Sequence, residues 1–210
     1  MRFADLDAVT VDGFGTLVEL ADPVPVLEAA LRARGVERSS GAVLEAFRAE
    51  VAFYRPHALM GRDHESLAAL RLECSRVFLE AAGADLDPAS FVETFVSSIV
   101  MTEARGATET LRSLRAKGLE LAVVSNWDIG LVEHLQRLRL DSLFTAIVTT
   151  AEAGAAKPDP AVFRLALDRL GVEPGRSLHV GDEPDDVQGA AAAGMAFAPA
   201  PLAGAFEGWS

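Results

Sequence analysis

The stretch Val9-Thr10-Val11-Asp12-Gly13-Phe14-Gly15-Thr16-Leu17 decides how the rest of the chain is read. It starts as an apolar run with β-branched Val and Thr, the composition of a short buried strand. It breaks at Gly13 and Gly15, which puts Asp12 where a strand gives way to a loop. In open parallel sheets the crevice outside the carboxyl ends of the strands is where ligands bind. An Asp at that place is either a turn residue or a functional carboxylate. Segments far away in the sequence have to separate the two.

Directly after this stretch the pattern becomes helical. Asp22-Pro23 marks a helix start, with apolar residues following at Val26, Leu27, Ala30 and Leu31 and a stop at Gly35. Ser39 or Ser40 caps a second helix that stops near Arg55-Pro56; Asp63 opens a third, ended around Gly83; Asp87-Pro88 opens a fourth through Phe91, Phe95 and Ile99. Residues 19–101 therefore read as an all-helical insertion. From Thr108 the alternation turns to helix and strand: strands at 119–124, 145–149, 177–180 and 195–198, with helices between them and Asp128 as a cap for a helix from Ile129 to Leu138. Strands alternating with helices predict a parallel sheet covered on both faces. The expected fold class is α/β, a core of residues 1–18 and 102–210 interrupted after its first strand by a helical cap, residues 19–101.

Composition narrows the possible functions. The chain has 210 residues, 50% of them hydrophobic and 24% charged, ample for a packed interior in a soluble globular protein. With 31 acidic against 19 basic residues the net charge is −12, which argues against broad attraction to nucleic acid or an anionic membrane. It leaves room for a small anionic substrate, since a local base or a metal can reverse the field at one site. The one cysteine, Cys74, lies in a helical apolar pattern and forms no internal disulfide, which fits a reducing compartment. The N-terminal residues Met1 to Asp5 lack a signal-peptide apolar region, and the Ala-, Gly- and Pro-rich stretch 189–206 does not suit a membrane span, so the expectation is a soluble cytoplasmic protein. Lysine occurs only at Lys117 and Lys157, a hint that a compact ammonium is wanted there.

Three further loops follow the predicted strands: Ser125-Asn126-Trp127-Asp128, Lys157-Pro158-Asp159-Pro160 and Gly181-Asp182-Glu183-Pro184-Asp185-Asp186. In a parallel sheet Asp12, Ser125, Lys157 and Asp182 converge at one edge. Together these segments resemble the haloacid dehalogenase superfamily, whose four ordered motifs they match in order and spacing along the whole chain. Gly189 and Gly194 after the last motif, and the place of the helical insertion, add to the resemblance. It implies a Rossmann-like core with a helical cap and a hydrolase with Asp12 as nucleophile. A carboxylate suits that role because it is ionised at neutral pH without a base partner.

The resemblance assigns the other loops as well. Thr16 and Ser125 are hydroxyls able to donate to a phosphoryl oxygen or to the nucleophile. Asn126 is either a substrate contact or a turn former, and Asp128 reads as a helix cap. Lys157 is expected to neutralise charge on nucleophile and substrate. Asp182 with Asp186, or with Asp185 in its place, supplies the fourth motif. Carboxylates crowded near Asp12 repel one another unless a cation intervenes. A hard divalent ion with oxygen ligands, Mg²⁺, fits such a set, with Asp12, the Phe14 backbone carbonyl and the fourth-motif acids as ligands. Tyr54, Arg55 and His57, with Arg62 and His64, cluster between the second and third helices as candidates for substrate selection. His134 and His179 read as structural.

Phe14 departs from the family's phosphatases, which place a second Asp two residues after the nucleophile. A phenyl ring moves no proton, and general acid–base catalysis is worth ~10²–10⁴-fold. An aromatic followed by Gly-Thr, together with Ser125-Asn126, is instead similar to the metal-independent 2-haloacid dehalogenases, whereas Gly181-Asp182 and its acidic neighbours are similar to the metal-using phosphatases. The leading expectation is a Mg²⁺-dependent phosphatase of a small phosphorylated metabolite. A 2-haloacid dehalogenase and a weakly catalytic binding or regulatory protein are the alternatives.

Overall fold

The computed structural model describes residues 2–209. In chain order the elements are β1 Ala8–Val11, β2 Val18–Leu20, α1 Val24–Arg32, α2 Ser40–His57, α3 His64–Ala81, α4 Pro88–Ser98, β3 Met101–Glu103 and α5 Ala107–Ala116. They continue with β4 Glu120–Ser125, α6 Leu131–Arg137, β5 Ala146–Thr149, α7 Thr150–Ala153, α8 Pro160–Leu170, β6 Ser177–Gly181, α9 Pro184–Ala193 and β7 Ala196–Pro199. The chain divides into two compact units, residues 1–19 with 102–210 and residues 20–101.

In the first unit β1 is the centre of a five-stranded sheet of order β5-β4-β1-β6-β7, every neighbouring pair parallel. All four residues of β1 are buried, as a strand covered on both faces requires. Ala122 and Val124 pack with Val162, Phe163, Ala166 and Leu167 of α8. The alternate residues Leu121 and Val123 point to the other face, and they too are fully buried, as is Leu111 of α5, which packs on β4. The register aligns Val11 with Val123 on one side and with Val180 on the other. Asp12, Ser125 and Asp182 therefore emerge at the same carboxyl edge, one or two residues past that line.

The second unit packs α1 to α4 around Phe47, Phe78, Phe91 and Phe95, with the Phe78 ring 6.0 Å from Phe91 and 5.2 Å from Phe95. Its helix starts follow their capping chemistry. The Ser39 hydroxyl accepts from the Ala42 N–H, Asp63 accepts from Ser66, and Asp87 accepts from Ala89 and Ser90 ahead of Pro88. Among the described residues no helix is long and apolar enough to cross a membrane.

Four local expectations are corrected. The second helix runs through Arg55-Pro56 and ends at His57, one residue beyond the expected stop. Pro56 sits inside the last turn of α2, where its missing N–H forfeits a single hydrogen bond before the helix ends at His57. Tyr54, Arg55 and His57 are thus helical rather than a loop. Helix α6 begins at Leu131, not Ile129, because the Asp128 carboxylate accepts from the Gly130 N–H at 2.6 Å and closes a turn ahead of it. Finally, β2 and β3 pair with each other, and α7 follows β5 directly. Strands of three residues and a helix of a single turn are too short to show a periodicity in sequence.

Candidate active site

Asp12 leaves β1 with its backbone N–H donating to the Val180 carbonyl at 2.9 Å, which pins it between β1 and β6. The loop after it closes on itself: Gly15 N–H donates to Val18 O, and the N–H groups of Leu17 and Val18 donate to Gly13 O, at 2.8 to 2.9 Å. Gly15 has φ +84, and any Cβ there would run into the Asp182 carboxylate. A Cβ at Gly181 would overlap Asp186 in the same way. Gly15 is what allows the first and fourth loops to meet, and Gly181 leaves room for Asp186 within the fourth.

Lys157, 6% exposed, lies between two carboxylates, its Nζ 2.5 Å from Asp12 Oδ1 and 2.5 Å from Asp186 Oδ1. Ser125 Oγ donates to Asp12 Oδ1 at 3.2 Å. Asp186 is wholly buried, and its Oδ1 also receives His179 Nε2 at 2.9 Å, while its Oδ2 accepts the Glu183 N–H at 3.0 Å in the capping box of α9. Thr10 Oγ1 stands 2.8 Å from His179 Nδ1. A carboxylate only accepts, so His179 donates its Nε2–H to Asp186 and its Nδ1 accepts from the Thr10 hydroxyl. The result is one buried chain from Thr10 through His179, Asp186 and Lys157 to Asp12.

Electrostatics follow from this burial. Burial pushes Asp12 up to about 6, with the Lys157 ammonium pulling the other way and Asp186 adding to the rise. Asp12 is still largely ionised at neutral pH. For Asp186, burial opposes ionisation, but the His179 hydrogen bond and the Lys157 charge outweigh it and hold the group well below the usual carboxylate range. For Lys157, burial disfavours the ammonium, and the two carboxylates more than compensate, so it stays charged. His179 is driven down by burial and is neutral. Asp182 is raised, by burial and by the neighbouring charges of Asp186 and Glu183, against the Thr16 hydrogen bond.

Asp12, Asp182 and Asp186 each offer a carboxylate oxygen within 4.8 Å of the others. An all-oxygen set of this kind, carrying more negative charge than Lys157 neutralises, fits a hard divalent cation such as Mg²⁺. The named contacts of Asp186 occupy both of its oxygens, and those of Asp12 with Ser125 and Lys157 fall on Oδ1 alone. Asp182 is exposed and takes one hydrogen bond, from Thr16 Oγ1 at 3.2 Å. Asp12 and Asp182 are accordingly the better placed ligands, and Asp186 the anchor of Lys157.

Several expected site residues turn out to be differently engaged. Of the two fourth-motif acids, Asp186 is the inward one and Asp185 is only half-buried. Thr16 bonds Asp182 and not the nucleophile. Asn126 faces the third loop: its Nδ2 donates to the Lys157 carbonyl at 3.3 Å, and its Oδ1 accepts the Lys157 N–H at 2.8 Å. Its amide positions the lysine. Tyr54, Arg55 and His57 belong to the helical unit, where the His57 ring stacks on Phe53 at 4.3 Å and bonds the Phe53 carbonyl. Thr10, His179 and Trp127 were not among the expected site residues. His179 carried one signal: a polar ring within an otherwise apolar strand must find partners to be buried.

A family model described as haloacid dehalogenase-like hydrolase matches residues 6–194. The haloacid dehalogenase-like hydrolase domain-containing protein 3 of Mus musculus is 44% identical over 104 residues, 49% of this chain and 41% of that protein. The glyceraldehyde 3-phosphate phosphatase of Methanothermobacter thermautotrophicus is 42% identical over 90 residues, 42% of this chain and 40% of that protein. In both the matched part spans about two fifths of the relative's length. Among solved structures, the 2-haloacid dehalogenase of Pseudomonas syringae pv. Tomato superposes with a TM-score of 0.62 at 28% identity, covering 91% of this chain and 85% of that one.

Proposed function

We propose that this chain, which belongs to the haloacid dehalogenase-like hydrolases, is a Mg²⁺-dependent phosphatase of small phosphorylated metabolites that works through a phosphorylated Asp12. The observation that carries the reading is the cluster of Asp12, Lys157, Ser125, Asp186 and Asp182 at one sheet edge, with oxygens suited to a divalent cation beside the nucleophile. Relatives named as phosphatases support it.

In this reading Ser125 and Lys157 fix the Asp12 carboxylate through Oδ1, and of its two oxygens one attacks phosphorus while the other would face the cation. Lys157 offsets charge on nucleophile and substrate, and Asp186 with Asn126 keeps the lysine in place. Asp12, Asp182 and the Phe14 carbonyl would hold the Mg²⁺. Such an ion, when bound, relieves repulsion between an anionic ester and an anionic nucleophile. Water then releases phosphate from Asp12. Tyr54, Arg55 and His57 are assigned to substrate selection on chemical grounds, as an aromatic, a cation and an imidazole suited to a phosphorylated metabolite. A cytoplasmic setting belongs to the same reading, since Cys74 is buried and in no disulfide.

The test is phosphate release from a panel of sugar, acyl and nucleotide phosphates, before and after EDTA treatment with Mg²⁺ add-back. Activity that survives complete metal removal overturns the reading. One observation favours a second one: the aromatic Phe14 in the nucleophile loop, with a 2-haloacid dehalogenase as a structural neighbour. Chloride release from 2-chloropropionate in EDTA is its direct assay.

A further inference from the structure

Phe14 is 48% exposed although the loop that carries it is closed by its own hydrogen bonds. Its ring lies 6.5 Å from that of Trp127, tilted by 59°. Trp127 is 8% exposed, its carbonyl accepts from Thr150 Oγ1, and the His134 ring packs on it at 5.6 Å. An aromatic pair, half of it open, is thus built onto the loops that carry Asp12 and Ser125. A large apolar side chain left in water beside a nucleophile is a surface for a ligand to cover.

The proton-bearing groups around Asp12 are already engaged. The Lys157 ammonium sits between two carboxylates, Ser125 donates to Asp12, Thr16 donates to Asp182, and His179 donates to Asp186 from a fully buried position. Each of these donors is committed to a carboxylate.

We propose that Phe14 and Trp127 line the leaving-group side of the site and that its substrates are acyl phosphates with an apolar body, which depart as carboxylates with no proton delivered to them. This rests on the phosphatase reading above. In the first step an Asp12 carboxylate oxygen bonds phosphorus, the phosphorus–oxygen bond to the acyl group breaks, and its electron pair leaves on the carboxylate. One mixed anhydride is exchanged for another, so no acid is needed. In the second step a water oxygen bonds phosphorus, the Asp12–phosphorus bond breaks with its electron pair returning to Asp12, and the proton of the water leaves with phosphate to solvent. Asp182, the exposed carboxylate beside Asp12, is committed to the cation in the phosphatase reading, so the water is left without a base, the second step is the slow one and phosphorylated Asp12 accumulates.

Benzoyl phosphate and benzyl phosphate share their shape and differ in whether the leaving group needs a proton. With Mg²⁺ present, kcat/KM for benzoyl phosphate is expected to exceed that for benzyl phosphate by about a hundredfold to ten-thousandfold, the range general acid catalysis spans. Benzoate release should show a burst of about one equivalent per enzyme. Phe14→Asp should narrow the ratio by raising benzyl phosphate turnover. Phe14→Leu should keep the ratio but reduce the preference for benzoyl over acetyl phosphate, and it stands in should the Asp variant not fold. Equal turnover of benzoyl and benzyl phosphate by the unaltered protein overturns this inference and leaves the phosphatase reading standing. No phosphate from benzoyl, benzyl or acetyl phosphate overturns it as well, and the wider panel then decides the phosphatase reading on its own.

Discussion

Lys157 sits 2.5 Å from each of two carboxylates with almost no access to water, so its removal has two separable effects. Lys157→Met leaves Asp12 and Asp186 facing each other without the intervening cation. Breaking a buried ion pair from one side costs about 3–5 kcal/mol, and a urea titration should show a loss of that order. Turnover should fall ~10²–10³-fold as the charge beside the nucleophile disappears. Asp12→Asn separates the effects, since it keeps the volume, removes the nucleophile and relieves a buried charge. It should fold with an unchanged circular dichroism spectrum and show no turnover above background; a rate within tenfold of the unaltered protein would assign the nucleophile elsewhere. Lys157 could be singled out beforehand because only two lysines occur in the chain. Its double engagement could not, because Asp12 is 145 residues away and Asp186 is 29.

Within α2, Glu50 is 4% exposed against the core of the helical unit, with Cys74 as a hydrogen-bonding neighbour. Burial pushes it from 4.5 up to about 7, the Cys74 contact pulling slightly the other way. A raised carboxyl favours the protonated form in the fold. The stabilisation is fully present below about 4.5 and is lost as pH rises through about 7, with about 3 kcal/mol at stake. Glu50→Gln removes the titration. Between pH 5 and 8 its urea midpoint should rise relative to the unaltered protein by an equivalent amount; parallel pH profiles would show that Glu50 does not titrate there. The helix starts at Ser39, Asp63 and Asp87 were readable because capping is a contact over two or three residues. Strands β2 and β3 were not, because a three-residue strand exists only through its partner.

At the scale of the whole molecule, a chain of net charge −12 holds three carboxylates within 4.8 Å at one edge of a parallel sheet. Their mutual repulsion destabilises the fold, and a cation that binds them stabilises it. Mg²⁺ at about a hundred times its Kd should add about 2.7 kcal/mol, several degrees in thermal midpoint, and EDTA should reverse the gain. Asp182→Asn should abolish the shift while leaving the midpoint without Mg²⁺ unchanged or higher. A midpoint indifferent to Mg²⁺ in the unaltered protein would remove the metal from the proposed function.

The chain by itself determined the five strands of the parallel sheet, the longer helices between them, their order, and the four loops that carry chemistry. These are consequences of periodicity and capping, which act over a few residues. The tertiary structure decided which polar group meets which. Asp185 and Asp186 are neighbours on α9, about 100° apart around the helix, and burial alone selects Asp186 as the inward one. Thr16 bonds Asp182 across 166 residues, and Thr10 meets His179 across 169. Phe14, a gap in the proton chemistry when read along the chain, became half of an aromatic pair once β1 and β4 lay side by side. Hydrogen-bond partners and ring contacts between distant segments depend on strand register and sheet order, and neither is a local property of the sequence.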